Sequence, residues 1–372
     1  MEKYNISLLP CNIPEPLCSF AGVYLPQFSS IFIHGGFGDN ENNAIYCINL
    51  ESLQSMVKAS STLSLIGHAA VEIEGRMFIF GGWNGTEYSN SSLIFDPLDE
   101  SVKKTEAPSN AKEWEYPVGR RDHSLTLAGN NIYLLGGWDS WKWTNAPSTF
   151  SQLWKLTDSW KWELCEVFGE NPSTCRGHST IYFAELEELV VFGGIYGYTT
   201  LLNDLHVLNL KDMQWNKLVT NDGPSKRAWH CAANVDKYMY VFGGLIEIKK
   251  TSNELFRFDL LEKKWEEIFV ENMPSPRCGA LMINVEGFLV VLGGKNQQEE
   301  TLKDAFVIDI DQKYENYREN ADNYGVCFKE IGHGIEPPQI PKEHVYSKRY
   351  IPKTNFDVNK FPQNSRQHFN SL

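Results

Sequence analysis

Six times along the chain an apolar run ends in a pair of glycines. The runs are IFIHGG (Gly35, Gly36), MFIFGG (Gly81, Gly82), IYLLGG (Gly136, Gly137), LVVFGG (Gly193, Gly194), MYVFGG (Gly243, Gly244) and FLVVLGG (Gly293, Gly294). The intervals are 46, 55, 57, 50 and 50 residues. A self-repeat of this period constrains the architecture more than any single motif. A unit so small cannot bury its own apolar face, whereas units stacked around an axis can.

Each repeat has further parts. About 13 residues before the glycines a strand begins, often with Arg and then His: Arg120 to His123 in RRDH, Arg176 and His178 in CRGH, Arg227 and His230 in KRAWH. After the glycines come a variable stretch and a third apolar run, such as NDLHVLNL (203–210) or NELFRFDL (253–260). A fourth short strand follows, opened by Trp162, Trp215 or Trp265. Four short strands per repeat, separated by turns, describe a propeller blade. Glycine at the end of the second strand permits positive φ and close backbone approach where blades crowd the axis. The tryptophan fills the wedge between blades. Radial four-stranded sheets leave only short, protected edges.

The double glycines, the spaced tryptophan and the period resemble the kelch repeat family. The resemblance covers residues 1–331, with repeats at about 17–60, 61–107, 117–170, 172–222, 224–272 and 274–331. It implies an all-β, six-bladed propeller of four-stranded antiparallel blades. The first repeat departs most, lacking the Arg and His before its strand and, in its fourth strand near Met56, the tryptophan. The sixth has Arg277 but Gly279 and Ala280 in place of His. Residues 332–372, rich in Pro, Asn and Lys without apolar periodicity, read as an irregular C-terminal extension.

Closing the ring requires a strand that joins first and last blades. KYNISLLPCNIPEP (3–16) has the shape of the fourth-strand segment at 214–227, so residues 3–10 are expected to supply the outer strand of blade six. VCFKEIGHGIEPP (326–338) is the rival, through 326–331.

Composition narrows function. Net charge is −13, with six Lys/Arg against three Asp/Glu in the extension, so the propeller itself is more acidic still. That argues against a nucleic-acid partner. No apolar run reaches 18 residues, and the N-terminus lacks a signal-peptide core, so no membrane insertion is expected. Eight cysteines without CxxC spacing read as reduced thiols of a cytoplasmic protein, with cytoskeletal or ciliary association compatible.

Strand direction places the second-to-third and fourth-to-first connections on one face. These are longest around blades two and three, at 105–121 and 138–152. They carry Trp114, Tyr116, Trp138, Trp141 and Trp143, with Arg120 and Arg121 beside them, and blade four adds Tyr196 and Tyr198. Aromatics and arginines on loops of a rigid scaffold suit partner recognition. The recurring Arg120 or Arg121, Arg176, Arg227 and Arg277 either ring a pocket or brace neighbouring loops. His68, His123, His178 and His230 recur once per blade and are expected to hydrogen-bond between blades rather than hold metal. No catalytic, phosphate-binding or dinucleotide motif occurs, so no enzyme activity and no cofactor or metal is expected. Sugar mutarotases of the kelch family are the enzymatic alternative. The Glu-x3-Asp-x3-His pattern of the family's iron-dependent nitrile specifiers is absent.

The expectation is therefore a non-enzymatic scaffold that docks a protein or peptide on the loop-rich face. A second resemblance, to kelch receptors of cullin ubiquitin ligases, rests on NDLHVLNLKDMQWNKL followed by KRAWH, with Trp229 matching their pocket tryptophan. It implies recognition of protein C-termini. This chain departs from it at Ile195 and Thr200–Leu201, where that resemblance implies carboxylate-gripping arginines, and it lacks a Leu-x3-Cys adaptor box in 316–331.

Overall fold

A computed structural model describes residues 4–38, 42–109, 112, 115–140, 150–173, 175–270 and 272–310. The chain opens with β1 (Asn5–Leu8) and then lays down six blades in order around an axis. Blade one is β2 (Ala21–Leu25), β3 (Ser30–His34), β4 (Ala44–Asn49) and β5 (Gln54–Ser60). Blade two is β6 (Ala69–Ile73), β7 (Arg76–Phe80), β8 (Ser92–Asp96) and β9 (Ser101–Thr105). Blade three is β10 (Arg121–Ala128), β11 (Asn131–Trp138), β12 (Trp154–Leu156) and β13 (Trp162–Leu164).

Blade four begins with β14 (Phe168–Gly169), which runs parallel to its outer strand and covers that edge. The blade itself is β15 (Ser179–Phe183), β16 (Glu188–Phe192), β19 (Leu205–Asn209) and β20 (Gln214–Leu218), with a small hairpin β17–β18 (Ile195–Tyr196, Thr200–Leu201) rising between its second and third strands. Blade five is β21 (Cys231–Val235), β22 (Tyr238–Phe242), β25 (Leu255–Asp259) and β26 (Lys264–Ile268), with a matching hairpin β23–β24 (Leu245–Glu247, Lys250–Thr251). Blade six is β27 (Leu281–Val285), β28 (Phe288–Leu292) and β29 (Ala305–Asp309), and its fourth strand is β1. The fold is a six-bladed propeller of four-stranded antiparallel blades.

The second strand of each blade is apolar through its middle because both of its faces are buried there. Side chains alternate sides along a strand. In blade two, Met77 and Ile79 enter the wedge with blade one, while Phe78 and Phe80 enter the wedge with blade three. Six buried clusters fill the six wedges. The fourth-strand tryptophans point into the wedge with the preceding blade. Trp162 packs 5.1 Å from Phe80 and Trp265 5.0 Å from Phe192, ring centre to ring centre.

Closure pairs Asn5 with Asp309, Ile6 with Ile308, Ser7 with Val307 and Leu8 with Phe306. Tyr4 and Ile6 pack towards blade five, Leu9 is buried in the wedge with blade one, and Leu8 is 53% exposed. Residues 326–331, the rival segment, lie outside the described residues.

Candidate functional site

The loop-rich face is built from two repeated positions. One is the residue just before the repeat histidine: Ser19, Gly67, Asp122, Gly177, Trp229 and Gly279. All six have positive φ, between +52° and +67°. Each N–H donates to the carbonyl of the same residue one blade back, from Ser19 through Gly279, Trp229, Gly177, Asp122 and Gly67 to Ser19 again, at 2.6–2.9 Å. Six backbone hydrogen bonds thus form a closed ring about the axis. Glycine alternates with side-chain-bearing residues for a steric reason. A Cβ on Gly67 would lie 2.6 Å from Asp122 Oδ1, and one on Gly177 3.1 Å from the Trp229 indole. Asp122 and Trp229 therefore lie over neighbouring glycines and pave the mouth of the axial cavity. That cavity, about 230 Å³, is lined by the starts of β2, β6, β10, β15, β21 and β27.

The second position is the residue after each double glycine, bridged to the residue two before the repeat histidine. Trp83 meets Ile66, Trp138 meets Arg121, Ile195 meets Arg176 and Leu245 meets Ala228. This register gathers aromatics and cations beside Trp229. The Arg176 guanidinium lies 4.1 Å from the Trp138 ring centre and 5.5 Å from that of Trp229. Trp138 is edge-on to Tyr198 at 5.0 Å, and Tyr198 is 60% exposed. Arg121 Nε lies 3.5 Å from Asp122 Oδ2, an ion pair longer than a hydrogen bond. Burial pushes the Asp122 carboxyl upward, opposed by the charges of Arg121 and Arg176 and by a hydrogen bond from the Trp229 indole. Desolvation by burial lowers Arg176, and Asp122 counters it.

The expected site residues separate into two groups. Arg121, Tyr198 and Trp229 come together on this shelf over Trp138, which was expected as a partner contact but is only 4% exposed, and Tyr196, 45% exposed, stands in the adjoining β17–β18 hairpin. Arg120 and Arg227, expected as partner contacts, are fully buried braces instead. Arg120 donates to Val118 O and Gly136 O; Arg227 donates to Ser225 O and Gly243 O and pairs with Glu254 at 2.7 Å. Arg277 repeats this grip on Gly293 O and Asp304. Their guanidiniums satisfy carbonyls at the double-glycine turn, where no neighbouring strand reaches. Tyr116 is also a filler, packed edge-on to Trp162 in the wedge between blades two and three. Trp114, Trp141 and Trp143 lie outside the described residues.

Three of the four repeat histidines hydrogen-bond across blades; His123 does not, since neither of its buried ring nitrogens has a partner among the described residues, and it packs edge-on to Phe80 of blade two at 5.7 Å instead. His178 Nε2 is 2.9 Å from Ser124 Oγ and His230 Nε2 is 2.9 Å from Ser179 Oγ. His68 Nε2 meets His34 Nδ1 at 3.2 Å. Each also occupies the space left by the first glycine of the preceding blade: a Cβ on Gly136 would lie 2.3 Å from His178 Cε1. Phe20 and Ala280 stand at this position in blades one and six. Asp122, Trp83 and Tyr88, which stacks on Trp83 at 4.7 Å, are shelf residues that the repeat pattern did not single out. Asp122 stands one residue before His123, and Trp83 follows the double glycine Gly81–Gly82. Among the described residues no group of three or more His, Cys, Asp or Glu is placed to hold a metal ion. No helix among them is long and apolar enough to cross a membrane.

A profile of the KLHDC2/KLHL20/DRC7 kelch-repeats domain matches residues 1–145 and 122–319. Human Kelch domain-containing protein 10 is 27% identical over 233 residues, which are 59% of this chain and 50% of that protein. The Leucine-zipper-like transcriptional regulator 1 homolog of Drosophila melanogaster is 28% identical over 188 residues, 46% of this chain and 18% of that one. The chain thus spans about half the length of Kelch domain-containing protein 10 and less of the fly protein. The solved structure of YjhT superposes with a TM-score of 0.65 over 81% of this chain and 97% of its own, at 14% identity, which speaks to the fold alone.

Proposed function

Because the chain belongs to the kelch-repeat family, we propose that it is a non-enzymatic interaction module that docks a protein or peptide on its loop-rich face, at the shelf of Arg121, Trp138, Arg176, Tyr198 and Trp229. One observation carries this reading. The Arg176 guanidinium lies over the Trp138 and Trp229 rings beside an exposed tyrosine, and its buried Nε has no hydrogen-bond partner among the described residues. Tryptophan, tyrosine and arginine in one rigid cluster are the residues that dominate binding energy at interfaces. The shelf is set on strand ends and locked by the backbone ring, so little ordering is needed on binding.

Affinity capture tests it. Partners retained by the tagged wild-type chain are compared, by quantitative mass spectrometry, with those retained by Tyr198→Ala and Trp229→Ala. Loss of a common set, with folding intact by circular dichroism, is expected. An unchanged set rules out this face as the docking surface. A second reading, a receptor subunit of a cullin ubiquitin ligase, draws support from the sequence resemblance at Trp229, which here lines the axial cavity. It requires elongin and a cullin among the captured proteins. Their absence in captures that retain other partners ends that reading and leaves the first intact.

A further inference from the structure

The repeat histidines share one arrangement, and His123 breaks it. His178 Nε2 meets Ser124 Oγ and His230 Nε2 meets Ser179 Oγ, each at 2.9 Å. In both pairs the hydroxyl stands one residue after the repeat histidine of the preceding blade. For His123 that place, after His68, is Ala69, which has no hydroxyl. His68 has Ala21 in the same relation and meets His34 Nδ1 at 3.2 Å instead. His123 has no such substitute, and both of its ring nitrogens are buried without a partner among the described residues. The Phe80 carbonyl favours its protonated form but reaches neither nitrogen in hydrogen-bond geometry. Burial, with Arg120, His68 and His178 nearby, outweighs that carbonyl and holds the imidazole neutral, well below its ordinary range. A neutral imidazole has one N–H to donate and one lone pair to accept, and leaving both unused in a buried place is costly.

His123 and Ala69 both line the axial cavity. Its volume, about 230 Å³, exceeds the roughly 150 Å³ that accommodates a benzene ring. The cavity wall has two characters. Ser124, Ser179 and Thr180, from blades three and four, form a polar arc whose hydroxyls are already engaged. Phe20, Ala280 and Met282, from blades one and six, form an apolar arc, because Phe20 and Ala280 stand where the histidine recurs elsewhere. Ala69 and His123, from blades two and three, stand between the arcs. An apolar wall with one unsatisfied polar group in it is the pattern of a small-molecule site. The wall favours neither sign of charge. Its histidines are held neutral by burial, and Asp122 at the mouth is countered by Arg121 and Arg176. We infer that the axial cavity is a binding site for a small neutral molecule that carries a hydroxyl on an apolar body. The hydroxyl lies over Ala69 and bonds His123, as Ser124 and Ser179 bond their histidines, while the body rests on the apolar arc. The site lies within the ring of blades and requires no docked partner.

Phenol, toluene and benzoate are the probes, titrated into the full chain isotope-labelled at histidine and read by the side-chain nitrogen resonances. Phenol is expected to bind about tenfold tighter than toluene and to shift the His123 resonances, and benzoate is expected not to bind. Ala69→Ser supplies from blade two the hydroxyl that His178 and His230 already have. It should weaken phenol about tenfold, change toluene by less than about twofold, and raise the thermal midpoint of the free chain. His123→Phe removes the hydrogen bond but keeps a ring that blade one accommodates as Phe20, and it should weaken phenol to the same degree. It also assigns the His123 resonances. Thermal midpoints show which variants fold, and either one alone suffices. Absence of phenol binding, equal binding of phenol and toluene, or phenol binding untouched by the folded variants overturns the inference. Phenol that binds without moving the His123 resonances sits elsewhere and overturns it too. Benzoate binding tighter than phenol overturns it in favour of an anion site.

Discussion

Ser179 Oγ of blade four and His230 Nε2 of blade five lie 2.9 Å apart across the seam between the blades. The same pair recurs one blade earlier as Ser124 and His178. Both imidazoles are buried, and burial is the cause that pushes them down, His178 to about 4 and His230 to about 3, from an ordinary 6.5. His68 is likewise lowered to about 4.

A pH dependence of stability follows from the sign of these shifts. Above pH 6.5 the histidines are neutral whether the chain is folded or not, and they contribute no slope. Between 6.5 and about 4 the unfolded chain takes up protons that the folded propeller refuses, so stability falls as pH falls. Each histidine contributes at most about 1.4 kcal/mol per pH unit in that window. Carboxylates titrate there too, so the difference between wild type and His230→Asn isolates the effect. Urea midpoints at pH 7.5 and 5 should converge between the two proteins as pH drops. A constant gap across that range would mean that His230 is not held neutral.

Arg277 should matter more to folding than Arg121. Its guanidinium is 1% exposed as a residue and donates to Gly293 O, Ser275 O and both oxygens of Asp304, at 2.7 and 3.0 Å. Removing it leaves Asp304 and two carbonyls without their donor. The loss expected for Arg277→Ala is about 3–5 kcal/mol, and Lys is a poor substitute because it lacks the planar fork. Arg121→Ala, at an edge with one 3.5 Å ion pair, should cost about 1 kcal/mol or less. Equilibrium urea unfolding of both variants checks the order, and a reversal would contradict the bracing role.

The blades were legible because their parts obey strong local rules. The double glycines sit at positive φ in all six repeats, the first near +55° to +73° and the second near +96° to +106°, where other residues are strained. Trp162, Trp215 and Trp265 could be assigned to wedges because a large ring has few other places to go. The shelf was legible only in part. RRDH holds two arginines, and CRGH invited alignment of Arg176 with Arg227. Arg227 stands three residues before His230, whereas Arg176 stands two before His178. Cys175 takes the buried slot, and the offset of one turns Arg176 to the outside, since successive side chains on extended backbone face opposite ways. Arg120 and Arg121 divide in the same manner. Asp122 escaped notice because its place is set by a non-local ring of hydrogen bonds, which leaves no periodic trace beyond the glycines at Gly67, Gly177 and Gly279.

Trp215 offers a direct measure of wedge packing. It is 1% exposed and packs with Leu189, Val191, Tyr133 and Leu135 between blades three and four. Trp215→Ala should cost about 3–5 kcal/mol through lost burial and the cavity left behind. The fourth strand of blade one has Ser55 at that place, opposite Ile48 as Trp215 is opposite Leu208, and the neighbouring Met56 is 40% exposed, so Met56→Ala should cost under about 1 kcal/mol. Thermal midpoints of the two variants make the comparison. Equal losses would mean that the wedge of blade four relaxes around the gap.

The last prediction concerns ring closure, where sequence separation is greatest. β1 pairs with β29 from Asn5–Asp309 to Leu8–Phe306, and Leu9 N and Ile13 N continue the join by donating to Ala305 O and Lys303 O at 2.8 and 3.0 Å. Leu9, Cys11, Ile13 and Leu17 complete the wedge between blades six and one. Deleting residues 1–12 removes the outer strand, leaves the backbone of β29 unpaired along one side, and uncovers Val307 and Ala305 in that wedge. The deletion should lower the thermal midpoint by several degrees and promote association, because an exposed strand edge templates pairing with another chain. Differential scanning calorimetry and light scattering read the two effects. Leu8→Asp is the control: at 53% exposure it should leave the midpoint nearly unchanged. A deletion protein that melts with the wild type and stays monomeric would mean that β1 does not fasten the ring.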